Sequence, residues 1–329
     1  MGRLTHYIGK WAEKSMITYK LFNSYVRFRQ RINARKDPRE LANNDYYRTF
    51  KKNIDWNNPK NIIEKIFWLQ LFTDTSLWSI CADKYRVREY VRSKGLEHLL
   101  PKLYGRWFDS KDIDFEKLPN SFVLKTTNGC GQVLVVKDKR ELDIEETRFL
   151  LDKWMMLRYG YDDAQIHYTR IRPCIIAEEY LEDKSSQNES KSIVDYKVWC
   201  LNGNVEYILC VFDRVILGEN KGYKLAAYDR DWNNISSECL NPDEVENVEI
   251  KRPKHLDEMI RYAESLSKDF VEVRVDFYDT DERAYLGELT FTTGYGYHKE
   301  EFYEYLGSKI DLSKVKRIDG MNRPDMTKF

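Results

Sequence analysis

At 329 residues, 42% hydrophobic and 33% charged, the chain suits one large or two modest globular domains with a genuine core. Lys plus Arg and Asp plus Glu stand at 54 each, so a chain-wide basic footprint for nucleic acid is excluded. Six cysteines without a CxxC exclude a zinc ribbon and read as small buried hydrophobes of a reducing compartment; with no leader-like segment and no 18-residue apolar run, the expectation is a cytoplasmic, non-spanning protein.

Residues 1–36 carry nine cations (Arg3, Lys10, Lys14, Lys20, Arg27, Arg29, Arg31, Arg35, Lys36) against one acid, Glu13. Leu4, Tyr7, Ile8 and Trp11 stand at helical spacing, and Leu21, Phe22, Tyr25 and Phe28 continue the apolar positions. Such a segment either lies on an anionic membrane or packs on its own domain with the basic face in water. Asn58-Pro59 before Ile62, Ile63, Ile66, Phe67 and Leu69 predicts a second helix. Asp83-Lys84-Tyr85 opens a third, which stops at Gly95. Leu99 to Tyr104 reads as a short extended piece.

Phe122 to Lys139 predicts a hairpin, with Val133 to Val136 as its return strand. Lys125 ends the first strand, just before Asn128-Gly129-Cys130-Gly131. Glycines free backbone N–H groups to cradle phosphate oxygens, and an ammonium beside them adds a point charge for the same anion. The loop has neither a Gly-Lys-Ser/Thr sequence nor a following helix, which excludes a P-loop and a dinucleotide fingerprint. Read alone, the stretch fits an ordinary exposed turn first, and the phosphate reading gains weight only with an adenine pocket and metal ligands elsewhere in the chain.

Ile144 to Tyr159 predicts a helix, and Ile175 to Leu181 a strand that turns acidic at Glu178 and Glu179. Glu182 to Ser192, polar and serine-rich, predicts a mobile loop. Asp195 to Leu201 and Val205 to Phe212 flank Asn202-Gly203, a strong hairpin signal. Lys224 to Tyr228 adds a strand, and Leu256 to Ser267 a helix. The last hairpin runs from Phe270 to Phe291. A turn centred on Glu282 sets Asp276 opposite Glu288, with Thr290 on the same face. Two carboxylates so placed repel unless a cation lies between them, and Mg²⁺ takes one or two such oxygens from a protein. Gly-Glu-Leu-Thr-Phe is too apolar for a fully solvated strand, so Glu288 should be partly buried.

In this order the pieces resemble the ATP-grasp superfamily, most closely its teichuronopeptide-biosynthesis (TupA-like) branch, found among cell-surface polysaccharide genes. The resemblance rests on Asp83-Lys84-Tyr85 with Arg88-Glu89-Tyr90-Val91, Leu100-Pro101-Lys102-Leu103-Tyr104-Gly105, Phe122-Val123-Leu124-Lys125 with Asn128-Gly129-Cys130-Gly131, Ile176 to Leu181, Asp195-Tyr196-Lys197, Arg274 to Tyr278 and Gly287 to Phe291, over about residues 80–300. It implies an α+β ATP-grasp fold, two α+β subdomains gripping ATP between antiparallel sheets, with an N-terminal helical region. The implied domains are 1–80 (helical and basic), 81–182 (first subdomain), 183–312 (second subdomain) and 313–329 (tail).

The resemblance further implies that Lys84 and Lys125 contact ATP phosphates and that Asn128, Gly129, Cys130 and Gly131 form the lid over them. Glu178 accepts from the adenine amino group, with Glu179, Tyr180 and Leu181 at the ring edge. Asp195 faces the ribose and Lys197 the triphosphate. Asp276, Glu288 and Thr290 hold Mg²⁺, and Arg274 steadies the transferred phosphoryl group or the substrate carboxylate.

The implied activity is ligation of a carboxylate to an amine through an acylphosphate, the acid being a uronic acid of a surface polysaccharide or its precursor and the amine an amino acid or amino sugar. A kinase of a sugar or lipid-linked sugar, or a non-catalytic nucleotide-binding scaffold at the membrane surface, would use the same ATP site. Three departures stand out. Thr290 replaces the Asn of many relatives, Asn128-Gly129-Cys130-Gly131 replaces the branch's His-Gly-Ser-Gly, and residues 1–80 read as helical, with the superfamily's usual α/β domain not visible in them.

Overall fold

The computed structural model describes residues 15–182, 190, 192–217, 220–246 and 248–328. The helical positions Leu4, Tyr7, Ile8 and Trp11, the cations Arg3, Lys10 and Lys14, and most of the predicted 182–192 loop lie outside the described residues.

Among the described residues, five helices come first: α1 (Met16–Asn33), α2 (Pro38–Phe50), α3 (Ile62–Phe72), α4 (Ser76–Cys81) and α5 (Val87–Ser93). Then follow β1 (Leu103–Trp107), β2 (Phe122–Thr126), β3 (Val133–Val136), α6 (Ile144–Met156), α7 (Ile166–Thr169) and β4 (Ile175–Glu178). The chain continues through β5 (Asp195–Leu201), β6 (Asn204–Leu217), β7 (Asn220–Tyr228), α8 (Ser236–Cys239), α9 (Leu256–Ser267), β8 (Glu272–Asp279), β9 (Ala284–Thr290) and α10 (Glu300–Ser308).

These elements form two compact units. One takes the chain up to Ala42, Lys102–Tyr180 and the residues from Asn322 on; the other takes Asn43–Pro101 and Leu181–Met321. The division differs from the one expected, in which residues 1–80 form a region of their own. Long-range hydrogen bonds explain it. Lys65 Nζ on α3 donates to the Gly307 and Ile310 carbonyls, and Ile318 N donates to the Phe72 carbonyl. The far end of the chain belongs to the first unit because Arg170 holds Asn322, the Tyr161 hydroxyl holds the Asp325 carbonyl and Asp325 N donates to Thr169.

The first unit's sheet has the order β1-β4-β2-β3, antiparallel throughout. Phe122, Leu124, Val136, Ile175 and Ala177 point to one face and pack with Leu151 of α6. Burying a Phe or Leu in this way contributes about 1.5–3 kcal/mol each. Alternation puts Lys125, Ile176 and Glu178 on the other face.

The second unit's sheet has the order β7-β6-β5-β8-β9, also antiparallel. Asn202 and Gly203 turn β5 into β6 at φ +51° and +81°, left-handed values that favour this Asn-Gly pair. Helix α9 buries Leu256, Met259, Ile260, Ala263 and Leu266 and packs on β5, β6 and β8. On α3, Asn61 accepts from Glu64 N while the Glu64 carboxylate accepts from Asn61 N, a reciprocal cap. Helix α5 starts later than expected. Asp83 Oδ1 accepts from Tyr85 N and Arg86 N, which holds residues 83–86 in a turn before the helix.

Candidate active site

Each unit presents a cluster of expected site residues. In the first, β2 and β4 are neighbours with Lys125 opposite Ile176 and Val123 opposite Glu178. This diagonal brings Lys125 Nζ to 2.8 Å from Glu178 Oε2, with Glu178 almost wholly buried. Glu178, expected as an acceptor, is therefore already braced by the expected phosphate lysine. Glu179 follows the strand, its N–H donating to the Lys102 carbonyl and its carboxylate accepting from Lys102 N. Tyr180 and Leu181 come next, both half-buried.

The loop after β2 folds onto Tyr159. Asn128 is buried and donates its amide to the Trp154 and Leu157 carbonyls at the end of α6. Its side chain thus fastens the loop, and only backbone remains for the lid role. A Cβ at Gly129 would lie 2.1 Å from the Tyr159 ring, so only glycine fits there. The Tyr159 hydroxyl donates to the Cys130 carbonyl and accepts from Gln132, and burial pushes its pKa up to about 12. Cys130 is exposed, and Gly131 has φ +81°.

In the second unit, β5 and β8 set Lys197 opposite Asp276, and β8 and β9 set Asp276 opposite Glu288. A bulge intervenes, since the next pair is Phe277 with Leu286. The extra residue, Gly287, puts Glu288 on the Asp276 face while Leu286 stays with Phe277.

The cation between the carboxylates is a guanidinium. Arg274 Nε and Nη2 meet Asp276 Oδ1 and Oδ2 at 2.7 Å each, and Lys197 Nζ meets Oδ2 at 2.5 Å. Lys197 Nζ also lies 2.7 Å from Asp195 Oδ2, which accepts from Arg214 at 3.0 Å. Arg274 further donates to Thr293 at 2.5 Å and to Thr290 at 3.1 Å, and it lies 3.6 Å from Glu288.

The charges follow from this network. Burial pushes the Asp276 carboxyl up, but Arg274 and Lys197 more than offset that and hold it below the ordinary aspartate value. Burial likewise works against the Lys197 ammonium, yet Asp276 and Asp195 keep it charged. Asp195, deeply buried and near Asp276, is raised by burial despite Lys197. Asp195 Oδ1 is buried with no hydrogen-bond partner among the described residues. An orphaned acceptor of this kind calls for a donor from a ligand or water. Lys84 is half-buried in this second unit.

The cation expected between Asp276 and Glu288 is supplied in this structure by Arg274, which stands between the two carboxylates. Thr290, expected as a third metal ligand, accepts from Arg274 and donates to Glu288 at 3.3 Å, so its hydroxyl is engaged on both sides. Among the described residues, no group of three or more His, Cys, Asp or Glu side chains is placed to hold a metal ion. The set fits an Mg²⁺ that takes one or two carboxylates from the protein and its remaining oxygens from phosphates and water. Glu288, its side chain 39% exposed, is the accessible member. Sequence reasoning missed Arg214, Thr293, Gln132 and Tyr159. None falls within a matched motif, and each is recruited by tertiary geometry alone.

The model of the family described as TupA-like ATPgrasp matches residues 64–311. Among solved structures, D-alanine–D-alanine ligase from Bacillus anthracis is 19% identical over 70% of this chain and 66% of that one, with a TM-score of 0.42. L-amino acid ligase from Bacillus licheniformis is 17% identical over 68% and 43%, with a TM-score of 0.39. The ATP-grasp ligase PsnB, complexed with minimal precursor, Mg and ADP, is 12% identical over 71% and 58%, with a TM-score of 0.37. The chain thus spans less than two thirds of the length of each of these structures. Among curated proteins, none matches the sequence. With the family model covering three quarters of the chain, the protein belongs to the TupA-like ATPgrasp family.

Proposed function

We propose that this protein is an ATP-dependent ligase that joins a carboxylate to an amine through an acylphosphate. The acid is a uronic acid of a cell-surface polysaccharide or its precursor, and the amine an amino acid or amino sugar. The observation that carries the reading is the buried Asp195–Lys197–Asp276–Arg274 network ending at the half-exposed Glu288. It is a rigid array of paired charges with one acid left accessible, suited to holding a metal–polyphosphate and a second anion.

Glu288 and Asp276 would hold Mg²⁺, which supplies neutralisation of the transferring phosphoryl oxygens when bound. Arg274, fixed by Asp276 and Thr290, steadies the phosphoryl group or the substrate carboxylate. Lys197 keeps an ammonium toward the triphosphate, and Asp195 Oδ1 accepts from a ribose hydroxyl. In the first unit, Lys125 meets the phosphates, with the backbone of residues 128–131 as their cover. Glu178 and the backbone of residues 179–181 take the adenine edge, and Lys84 adds a further ammonium. A carboxylate oxygen takes the phosphoryl group, and the amine nitrogen then displaces phosphate to leave an amide. This demands positioning and charge from the protein, with no side-chain nucleophile. The workplace is the cytoplasm, with peripheral attachment of residues 1–36 to the anionic inner face of the membrane.

The test is a screen for ADP release across uronic acids crossed with amino acids and amino sugars. The proposal expects ADP, free phosphate and an amide together. Phosphate retained on the acceptor would mean a kinase, and no acceptor-dependent ADP with any pair would mean a scaffold.

A further inference from the structure

Helix α1 packs the opposite way from an ordinary amphipathic helix. The residues it buries are Tyr19, Asn23 and Gln30. Polar contacts hold Tyr19, Gln30 and the neighbouring Asn33 to their unit. The Tyr19 hydroxyl donates to the Lys153 carbonyl, Gln30 donates to the Arg158 carbonyl and to Asp162, and Asn33 donates to Asp162. The other face presents Ile17, Leu21, Tyr25, Phe28 and Ile32, between 49% and 74% exposed. These follow one another at steps of three or four residues, so they form one continuous stripe along the helix. A single exposed apolar side chain needs no explanation, but a contiguous row marks a docking surface.

The charges beside the stripe say what docks. Helix α1 contains Lys20, Arg27, Arg29 and Arg31 and no acid, and Arg35 and Lys36 follow it. Lys20 and Arg31 are exposed and border the stripe on one side. An apolar row edged by cations complements a bilayer, whose anionic headgroups lie above an apolar interior. A second copy of the same face would instead bring cations against cations. Among the described residues, no helix is long and apolar enough to cross a membrane.

We propose that α1 is a membrane-surface helix that lies flat on an anionic lipid bilayer. Ile17, Leu21, Tyr25, Phe28 and Ile32 enter the boundary between headgroups and acyl chains, and Lys20 and Arg31 meet the lipid phosphates. The polar face stays docked on the first unit, so attachment needs no unfolding. This surface deepens the peripheral attachment of the ligase reading, and it rests on that reading for the choice of leaflet but not for its geometry. An enzyme held this way meets acceptors whose lipid end sits in the same leaflet.

The test is co-sedimentation of the full chain, without nucleotide, with phosphatidylcholine vesicles and with vesicles that also contain phosphatidylglycerol. The chain should pellet with the anionic vesicles, less so in added salt, and poorly with phosphatidylcholine alone. The Leu21→Ser/Phe28→Ser variant alters only exposed side chains and should keep its melting temperature while its vesicle affinity falls about tenfold or more. Lys20→Glu/Arg31→Glu should lose the preference for anionic lipid. The proposal is overturned if the intact chain does not pellet, or if the apolar variant binds as tightly as the parent. It is also overturned if deleting residues 1–14 abolishes binding that the α1 variants leave intact, or if the substitutions only split a dimer. Vesicle binding without acceptor-dependent ADP release refutes the ligase reading and leaves the surface standing; the converse refutes the surface alone.

Discussion

Replacing Arg274 should raise the affinity of the resting protein for a divalent cation. A carboxylate offers about four lone-pair positions. Asp276 has three of them filled, two by Arg274 at 2.7 Å and one by Lys197 at 2.5 Å. A dication arriving at Asp276 must therefore share it with a guanidinium. Two unit charges about 4 Å apart interact by about 4 kcal/mol at an effective dielectric of 20, so the repulsion on a dication amounts to several kcal/mol. If relaxation and water leave about a third of it, Arg274→Gln tightens binding of Mn²⁺ without nucleotide by roughly ten- to a hundredfold. Calorimetry or the paramagnetic signal of free Mn²⁺ reads this directly. The variant also strands part of a buried charge network, at about 3–5 kcal/mol of stability, so its melting temperature should fall and must be measured alongside. Arg274→Lys keeps the charge and should bind Mn²⁺ as the parent does. A folded Arg274→Gln protein with unchanged or weaker Mn²⁺ affinity would refute the competition.

Lys125→Met should weaken ATP binding by about 2–5 kcal/mol through the lost ammonium–phosphate contact, and it also removes the 2.8 Å partner of the buried Glu178, a cost to stability; an unchanged dissociation constant counts against the phosphate role. Glu288→Gln should abolish turnover yet leave the melting temperature nearly unchanged, because the side chain is 39% exposed; full activity with saturating Mg²⁺ and ATP would remove Glu288 from the site. Gly129→Ala should displace the Tyr159 ring and cost about 1–3 kcal/mol, read by denaturant unfolding, whereas a stability equal to the parent's would show that the loop does not rest on that ring. His298 accepts or donates at 2.7 Å to the Tyr207 hydroxyl, and burial pushes its pKa down from 6.5 to about 3. Because the folded value is depressed, the unfolded chain takes up the proton first as pH falls. Stability is then full above about pH 6.5 and declines below it by up to about 1.4 kcal/mol per pH unit. His298→Gln should flatten the fall in melting temperature between about pH 7 and pH 5, and an equally steep fall would contradict the assignment.

The local half of this fold was legible because local rules write it. The β2–β3 hairpin, the Asn202-Gly203 turn and α9 follow from alternation, left-handed turn residues and a one-faced apolar stripe. The Asp276–Glu288 pairing was also anticipated, but its premise was a symmetric turn. The observed hairpin pairs Asp279 with Ala284 near the turn, half a residue off that centre, and the bulge at Gly287 restores the register. Periodicity cannot show a compensating bulge. Nor could it show that Arg274 would fork onto Asp276 two positions along its own strand, because side-chain direction within a face is decided by packing. The unit boundaries escaped for the same reason, since Lys65, Arg170 and Asn322 are isolated polar residues whose partners lie far away in sequence. The apolar positions of α1 were visible, but which face would be buried was not. Asp162, which takes the hydrogen bonds of Gln30 and Asn33, has no signature.

The central claim is that the carboxylate is activated as an acylphosphate before the amine attacks. It is tested most directly by following ¹⁸O from the carboxylate of an accepted acid in a reaction with ATP, Mg²⁺ and the amine. One labelled oxygen should appear in the released inorganic phosphate for each amide formed, with ADP in equal amount. Unlabelled phosphate, or label retained with phosphate on the acceptor, would contradict the account.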